Sequence, residues 1–160
     1  MIIKQYIKDF EKLGFGMFVH FGLYSQMACG EWVQELYGIE TAEYQKLTDT
    51  FCPREDWAVE LARTAKKAGC KYINITTRHH DGFSLFDTCG LNDFDSLHSP
   101  CGRDLAREFV DACRKYDLIP FFYHTTLDWY REEYKNNFDE YLECKKKIFK
   151  NRKRFTKNKI

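Results

Sequence analysis

At 160 residues, 44% hydrophobic and 17% aromatic, the chain has ample apolar material for one domain with a core, but it is shorter than the about 200 to 250 residues of a closed eight-stranded α/β barrel. A formal net charge of +1 gives no reason to expect a nucleic-acid or membrane partner. The charge is unevenly spread, since residues 145–160 hold nine Lys or Arg and no acid, leaving 16 bases against 24 acids elsewhere.

The seven cysteines, at 29, 52, 70, 89, 101, 113 and 144, are odd in number and show no metal-finger spacing. They read as free thiols of a reduced, cytoplasmic protein. The first ten residues lack the apolar core and small-residue cleavage site of a secretory signal. No apolar run approaches the roughly 20 residues of a membrane span.

Residues 2–13 read as a short amphipathic helix, with Ile3, Ile7 and Phe10 at helical spacing and Gly14 as a stop. Phe15 to Phe21 is apolar on both faces, as a covered parallel strand must be, and places His20 at its carboxyl end. A loop from Gly22 to Gly30 leads to Glu31 and Trp32. On these residues alone His20 reads as a satisfied core histidine and Glu31 as a solvated loop acid. Residues 39–49 predict an extra helix over the mouth, capped near Thr41. Pro53 suits the first turn of the next helix, in which Trp57, Leu61, Ala65 and Ala68 form one stripe before Gly69 ends it.

A second strand is expected at 71–77, parallel to the first because a helix intervenes. It runs into Thr76 to Phe86, where His79 and His80 fall at the turn from strand to loop. Adjacent residues on an extended chain point to opposite faces, so spacing alone suggests one histidine in the core and one on a rim. Turn formers fill 87–102, with His98 facing solvent. A helix begins near Asp104 with Leu105, Phe109, Ala112 and Tyr116 on one face, and Ile119 to Tyr123 is a third strand delivering Tyr123 and His124 to the same mouth. Twice-repeated helix and strand imply an α/β barrel or a doubly wound sheet. A last helix from Phe138, through Tyr141, Leu142, Ile148 and Phe149, ends in the basic run. That run reads as a solvated tail, because it has no row of aromatics for stacking on bases and no strongly apolar face for a membrane.

The stretch Thr-Thr-Arg-His-His-Asp-Gly-Phe from Thr76 to Phe83 resembles the Thr-Thr-Lys-His-His-Asp-Gly-Phe signature of the α-L-fucosidases of glycoside hydrolase family 29. Phe15 to Ser25 is similar to that family's first barrel strand, Glu31-Trp32 to its Glu-Trp pair, and Gly102 to Leu105 and Tyr123 to Trp129 to later blocks. Five blocks in order over residues 9–135 make the likeness specific. It implies an α/β fold, the N-terminal portion of a (β/α)8 TIM barrel with about three parallel strands, not closed. Residues 1–135 would be the barrel part and 136–160 a basic helical tail that departs from the family pattern.

Retaining glycoside hydrolysis uses two carboxylates about 5 to 5.5 Å apart. The resemblance implies that His20, Glu31, His79, His80 and Tyr123 bind the sugar hydroxyls and that Trp32 is an apolar wall. It places the nucleophile aspartate and the acid/base glutamate beyond residue 160, so no catalytic residue, cofactor or metal is assigned here. Asp81, in a turn before Gly82, and Asp128 are not substitutes for them. The expectation is a truncated α-L-fucosidase, inactive alone, whose partners are L-fucose or a fucosylated glycan and a separate chain carrying the missing part. Two alternatives stand beside it. One is a non-catalytic fucose-binding or non-functional fragment, since three strands leave open edges. The other is a metal-dependent barrel hydrolase with His20, His79 or His80 and an aspartate around zinc, although Phe18 stands where such a strand would carry its second histidine.

Overall fold

Three parallel strands, β1 (Gly16–Val19), β2 (Tyr72–Arg78) and β3 (Ile119–His124), pair in the order β1-β2-β3. The computed structural model describes residues 4–152, with side chains through 147. Ile3 and the tail from 153 therefore lie outside the described residues, as do the side chains of Ile148 and Phe149. Gly16, Tyr72 and Ile119 stand level in the register, so all three strands run toward one common end. The sheet is not closed.

The crossovers are helical because their apolar residues recur with the helical period. In α4 (Trp57–Lys67) the buried face is Ala58, Ala62 and Ala65, small side chains that let the helix lie close to its neighbours, with Trp57 and Leu61 half-buried at its margins. Gly69, at φ +83°, takes the left-handed turn that ends this helix at little cost. Asp104 starts α5 (Leu105–Lys115) by accepting the Arg107 amide at 2.8 Å, and Leu105, Phe109, Val110 and Cys113 pack into the main core with Ile73 and Ile75 of β2. Each such large side chain stabilises the fold by about 1.5 to 3 kcal/mol through burial.

The opposite sheet face carries Phe18, Tyr72, Phe121 and Tyr123. Across its amino end lies α1 (Gln5–Leu13), whose Phe10 ring sits 5.4 Å from Tyr72 and 5.5 Å from Phe121. This helix buries no residue fully, and Phe10 stays 47% exposed; its expected apolar stripe is only half covered. The helix expected over 39–49 is a short α3 (Thr41–Gln45) continued by a 3-10 turn through Thr50, and its cap position is Glu40 rather than Thr41. Pro53 stands four residues ahead of α4 instead of in its first turn, where its carbonyl accepts the Arg103 guanidinium. Three further short or terminal helices, α2 (Val33–Leu36), α6 (Glu132–Asn136) and α7 (Phe138–Arg152), and a 3-10 turn at Leu23–Gln26 complete the described elements. Tyr141 anchors α7 by donating its buried hydroxyl to the Thr126 carbonyl. Among the described residues no helix is long and apolar enough to cross a membrane.

Candidate functional site

The mouth at the carboxyl end of the strands is built by the way β2 stops. Its pairing with β3 is irregular between Thr76 and Arg78, the strand ends at Arg78, and the chain turns through Gly82 at φ +85°. A Cβ on Gly82 would lie 2.6 Å from Tyr130 Cβ and 2.7 Å from Asp128 Oδ1, so both the conformation and the space require glycine. His79 and His80 stand within this turn, not within the strand. They do not point to opposite faces as the two-residue period suggested: their rings lie 4.2 Å apart, and both are buried.

The other expected residues converge on this pair. The His20 ring is 5.4 Å from His79, and its Nε2 is 3.7 Å from Glu31 Oε1. Tyr123 stacks on His79 at 5.8 Å, and Trp32 meets His80 edge-on at 5.0 Å. His20, Glu31, Trp32, His79, His80 and Tyr123 thus form one cluster. Two aromatics join it that were not singled out from the sequence: Tyr24, 5.6 Å from His79, and Trp129, 5.3 Å from both His80 and Trp32. His124 does not join it. Following Tyr123 on an extended strand, it faces the other way and lies near Phe86.

Burial sets the protonation of the histidines. It pushes His79 down to about 4, with His80 and His20 adding like-charge repulsion, and it lowers His80, with Lys145 adding to the effect. Both rings are therefore neutral at neutral pH. His80 Nδ1 is 2.6 Å from Thr125 Oγ1, which already accepts the Leu127 amide at 3.0 Å. This hydroxyl fixes the orientation of the His80 ring. His79 Nδ1 is buried without a hydrogen-bond partner. A buried polar atom left unpaired costs about 1 to 3 kcal/mol, and a ligand hydroxyl at this atom removes that cost.

The acids behind the histidines are engaged elsewhere. Asp81 accepts the Tyr44 hydroxyl at 2.9 Å and the Phe83 amide at 3.1 Å, and burial pushes it up to about 6. Asp128 pairs with Arg78 at 2.7 Å, both fully buried, and with Lys145 at 3.5 Å. Glu31 remains as the carboxylate beside His20 at the mouth. Among the described residues no group of three or more His, Cys, Asp or Glu is placed to hold a metal ion.

The model of the family described as Alpha-L-fucosidase matches residues 3–160. This chain belongs to the α-L-fucosidase family. The tissue α-L-fucosidase of Homo sapiens is 30% identical over 149 residues, covering 81% of this chain and 32% of that protein. Among solved structures, a family 29 α-L-fucosidase from Bacteroides thetaiotaomicron superposes with a TM-score of 0.88 at 26% identity, over 95% of this chain and 38% of its own. An α-L-fucosidase isoenzyme from Paenibacillus thiaminolyticus gives 0.84 at 36% identity, over 92% and 39%. The chain thus spans about a third of the length of the curated fucosidases it matches, and its open three-stranded sheet corresponds to part of the fucosidase TIM-barrel domain.

Proposed function

We propose that this chain carries the fucose-binding histidines of a retaining α-L-fucosidase and, within these 160 residues, neither of the two carboxylates that break the glycosidic bond. The single observation that carries the reading is the unpartnered Nδ1 of buried His79, set among His20, His80, Glu31 and Tyr123. Such groups exchange hydrogen bonds with sugar hydroxyls, while Trp32 covers the apolar face and methyl group of a deoxy-sugar. Both Asp81 oxygens are hydrogen-bonded, and Asp128 is 0% exposed, paired through Oδ2 and with its unpartnered Oδ1 against Gly82, whereas a nucleophile needs a free oxygen facing the anomeric carbon.

Two relatives support the sugar and the chemistry. One from Bacteroides thetaiotaomicron was trapped as a covalent intermediate with 2-fluoro-fucosyl fluoride, the kind of species retention requires. AlfC from Lactobacillus casei is seen with its α-L-fucose product. The test is a pair of measurements on the 160-residue chain: calorimetric titration with L-fucose, and an assay with nitrophenyl α-L-fucoside. Saturable binding without nitrophenolate release is expected, and co-expression with a polypeptide bearing the two carboxylates should restore release. Turnover by the chain alone that is abolished by replacing one acid within residues 1–160 would place a catalytic carboxylate inside it and overturn the proposal.

A further inference from the structure

His80 is held by a segment that has no regular structure of its own. Its Nδ1 meets the Thr125 hydroxyl at 2.6 Å, and its carbonyl accepts the Trp129 amide at 2.8 Å, so residues 125–129 grip both the ring and the backbone. Those residues form neither helix nor strand and take their shape from neighbours. Lys145 of α7 donates to the Thr125 carbonyl at 3.3 Å and stands 3.5 Å from Asp128 Oδ2, while Tyr141 of the same helix donates to the Thr126 carbonyl. Lys145 is only 5% exposed. A buried ammonium is costly, and an apolar side chain of similar size is often as stable or more so. Stability alone therefore gives no reason for a lysine at this position.

We propose that Lys145 is a positioning residue for the fucose site: it fixes Thr125, and Thr125 turns the His80 imidazole so that its other nitrogen, Nε2, meets a sugar hydroxyl. The inference rests on the proposed fucose reading. Lys145 lies beyond the five sequence blocks that resemble the family, so that likeness assigns it no role. Its ammonium is engaged by Thr125 and Asp128, and it acts on the sugar only through them and through its field. A hydrogen bond weakens steeply once its angle is lost, so an imidazole freed to rotate loses affinity without losing any contact surface. The field acts in the same direction. Lys145, together with burial and His20, opposes a proton on His80, against the pull of Glu31.

The test measures L-fucose affinity of the 160-residue chain and its variants by calorimetry. Lys145→Met should weaken binding about three- to tenfold, whereas Lys146→Met, at the exposed neighbouring position, should leave it as it was. Thr125→Val, which removes the hydroxyl, should weaken binding as well, and Thr125→Ser, which keeps it, should not. Because Lys145 acts through Thr125, Lys145→Met combined with Thr125→Val should bind no more weakly than Thr125→Val alone. In imidazole nitrogen NMR without ligand, Lys145→Met should move the His80 titration upward and leave His98 in place. Fucose affinity that Lys145→Met leaves unchanged, a His80 titration that it leaves unmoved, or losses at Lys145 and Thr125 that add in full would each overturn the inference while leaving the fucose site standing. A Lys145→Met chain that no longer unfolds cooperatively in urea would make the lysine structural and overturn it too. Binding of L-fucose by none of these proteins, the unaltered chain included, would remove the fucose reading and this one together.

Discussion

Burial keeps His79 neutral down to about pH 4, and this fixes how the mouth responds to acid. An ordinary histidine charges near pH 6.5, whereas here the neutral form should persist through pH 5. Because the folded value lies below the unfolded one, this group's contribution to stability is present above about 6.5 and is lost as pH falls toward 4. Asp81 acts in the opposite sense. Its folded value is raised to about 6, so its contribution is greatest below the unfolded aspartate value and is lost as pH rises through 6. Fucose affinity measured by calorimetry should therefore stay level from pH 7 to 5 and fall near 4. A midpoint at 6.5 would mean that the imidazole is solvated. The six site residues were named through the family resemblance; the residues alone placed His20, His79, His80 and Tyr123 at strand ends, where barrels gather functional groups, but read Glu31 as a solvated loop acid. What was not legible was the shared side of His79 and His80. The two-residue period holds only while the strand lasts, and the strand ends one residue before them. Tyr24 reaches the mouth from a single 3-10 turn (Leu23–Gln26) and Trp129 from a loop, both too short or irregular for a period to say which way a ring points.

The last helix shows how an element far along the chain supports the site. Lys145 of α7 donates to the Thr125 carbonyl at 3.3 Å and lies 3.5 Å from Asp128, bracing the segment that carries Thr125 and Trp129. Burial, reinforced by Arg78, pushes this lysine down to about 7, so holding its charge is already unfavourable. Arg78 is different: its guanidinium is permanently charged and fully buried, donating to Asp128 and Ser84. Asp128→Ala should therefore cost about 3 to 5 kcal/mol, the penalty of a buried charge stripped of its partner. Lys145→Met, which removes a poorly solvated charge and keeps the stem, should cost clearly less. Urea unfolding of both variants checks the order, and equal losses would mean that Lys145 carries as much of the pairing as Arg78. From the sequence α7 was readable as a helix through Tyr141 and Leu142. The burial of Lys145 was not, because lysine ordinarily marks a solvated face.

At the scale of the molecule, the helix-covered side of the sheet is a finished core, while the other side leaves Phe18 51% exposed and Ile119 40% exposed. Strand order, parallel pairing and the alternation with helices were readable because apolar runs and helical stripes alternate along the chain. The half-covered α1 was not, since periodicity gives the direction of an apolar face but not the area available to cover it. The central claim, that the shared mouth of His20, His79 and His80 receives L-fucose, is most directly tested by imidazole nitrogen NMR of the chain titrated with L-fucose and, as a control, with its mirror image D-fucose. The account predicts saturable shifts of His79 and His80 with L-fucose alone, while His98 and His124 stay still. Shifts that are absent, equal for the two enantiomers, or spread over all five histidines would contradict it.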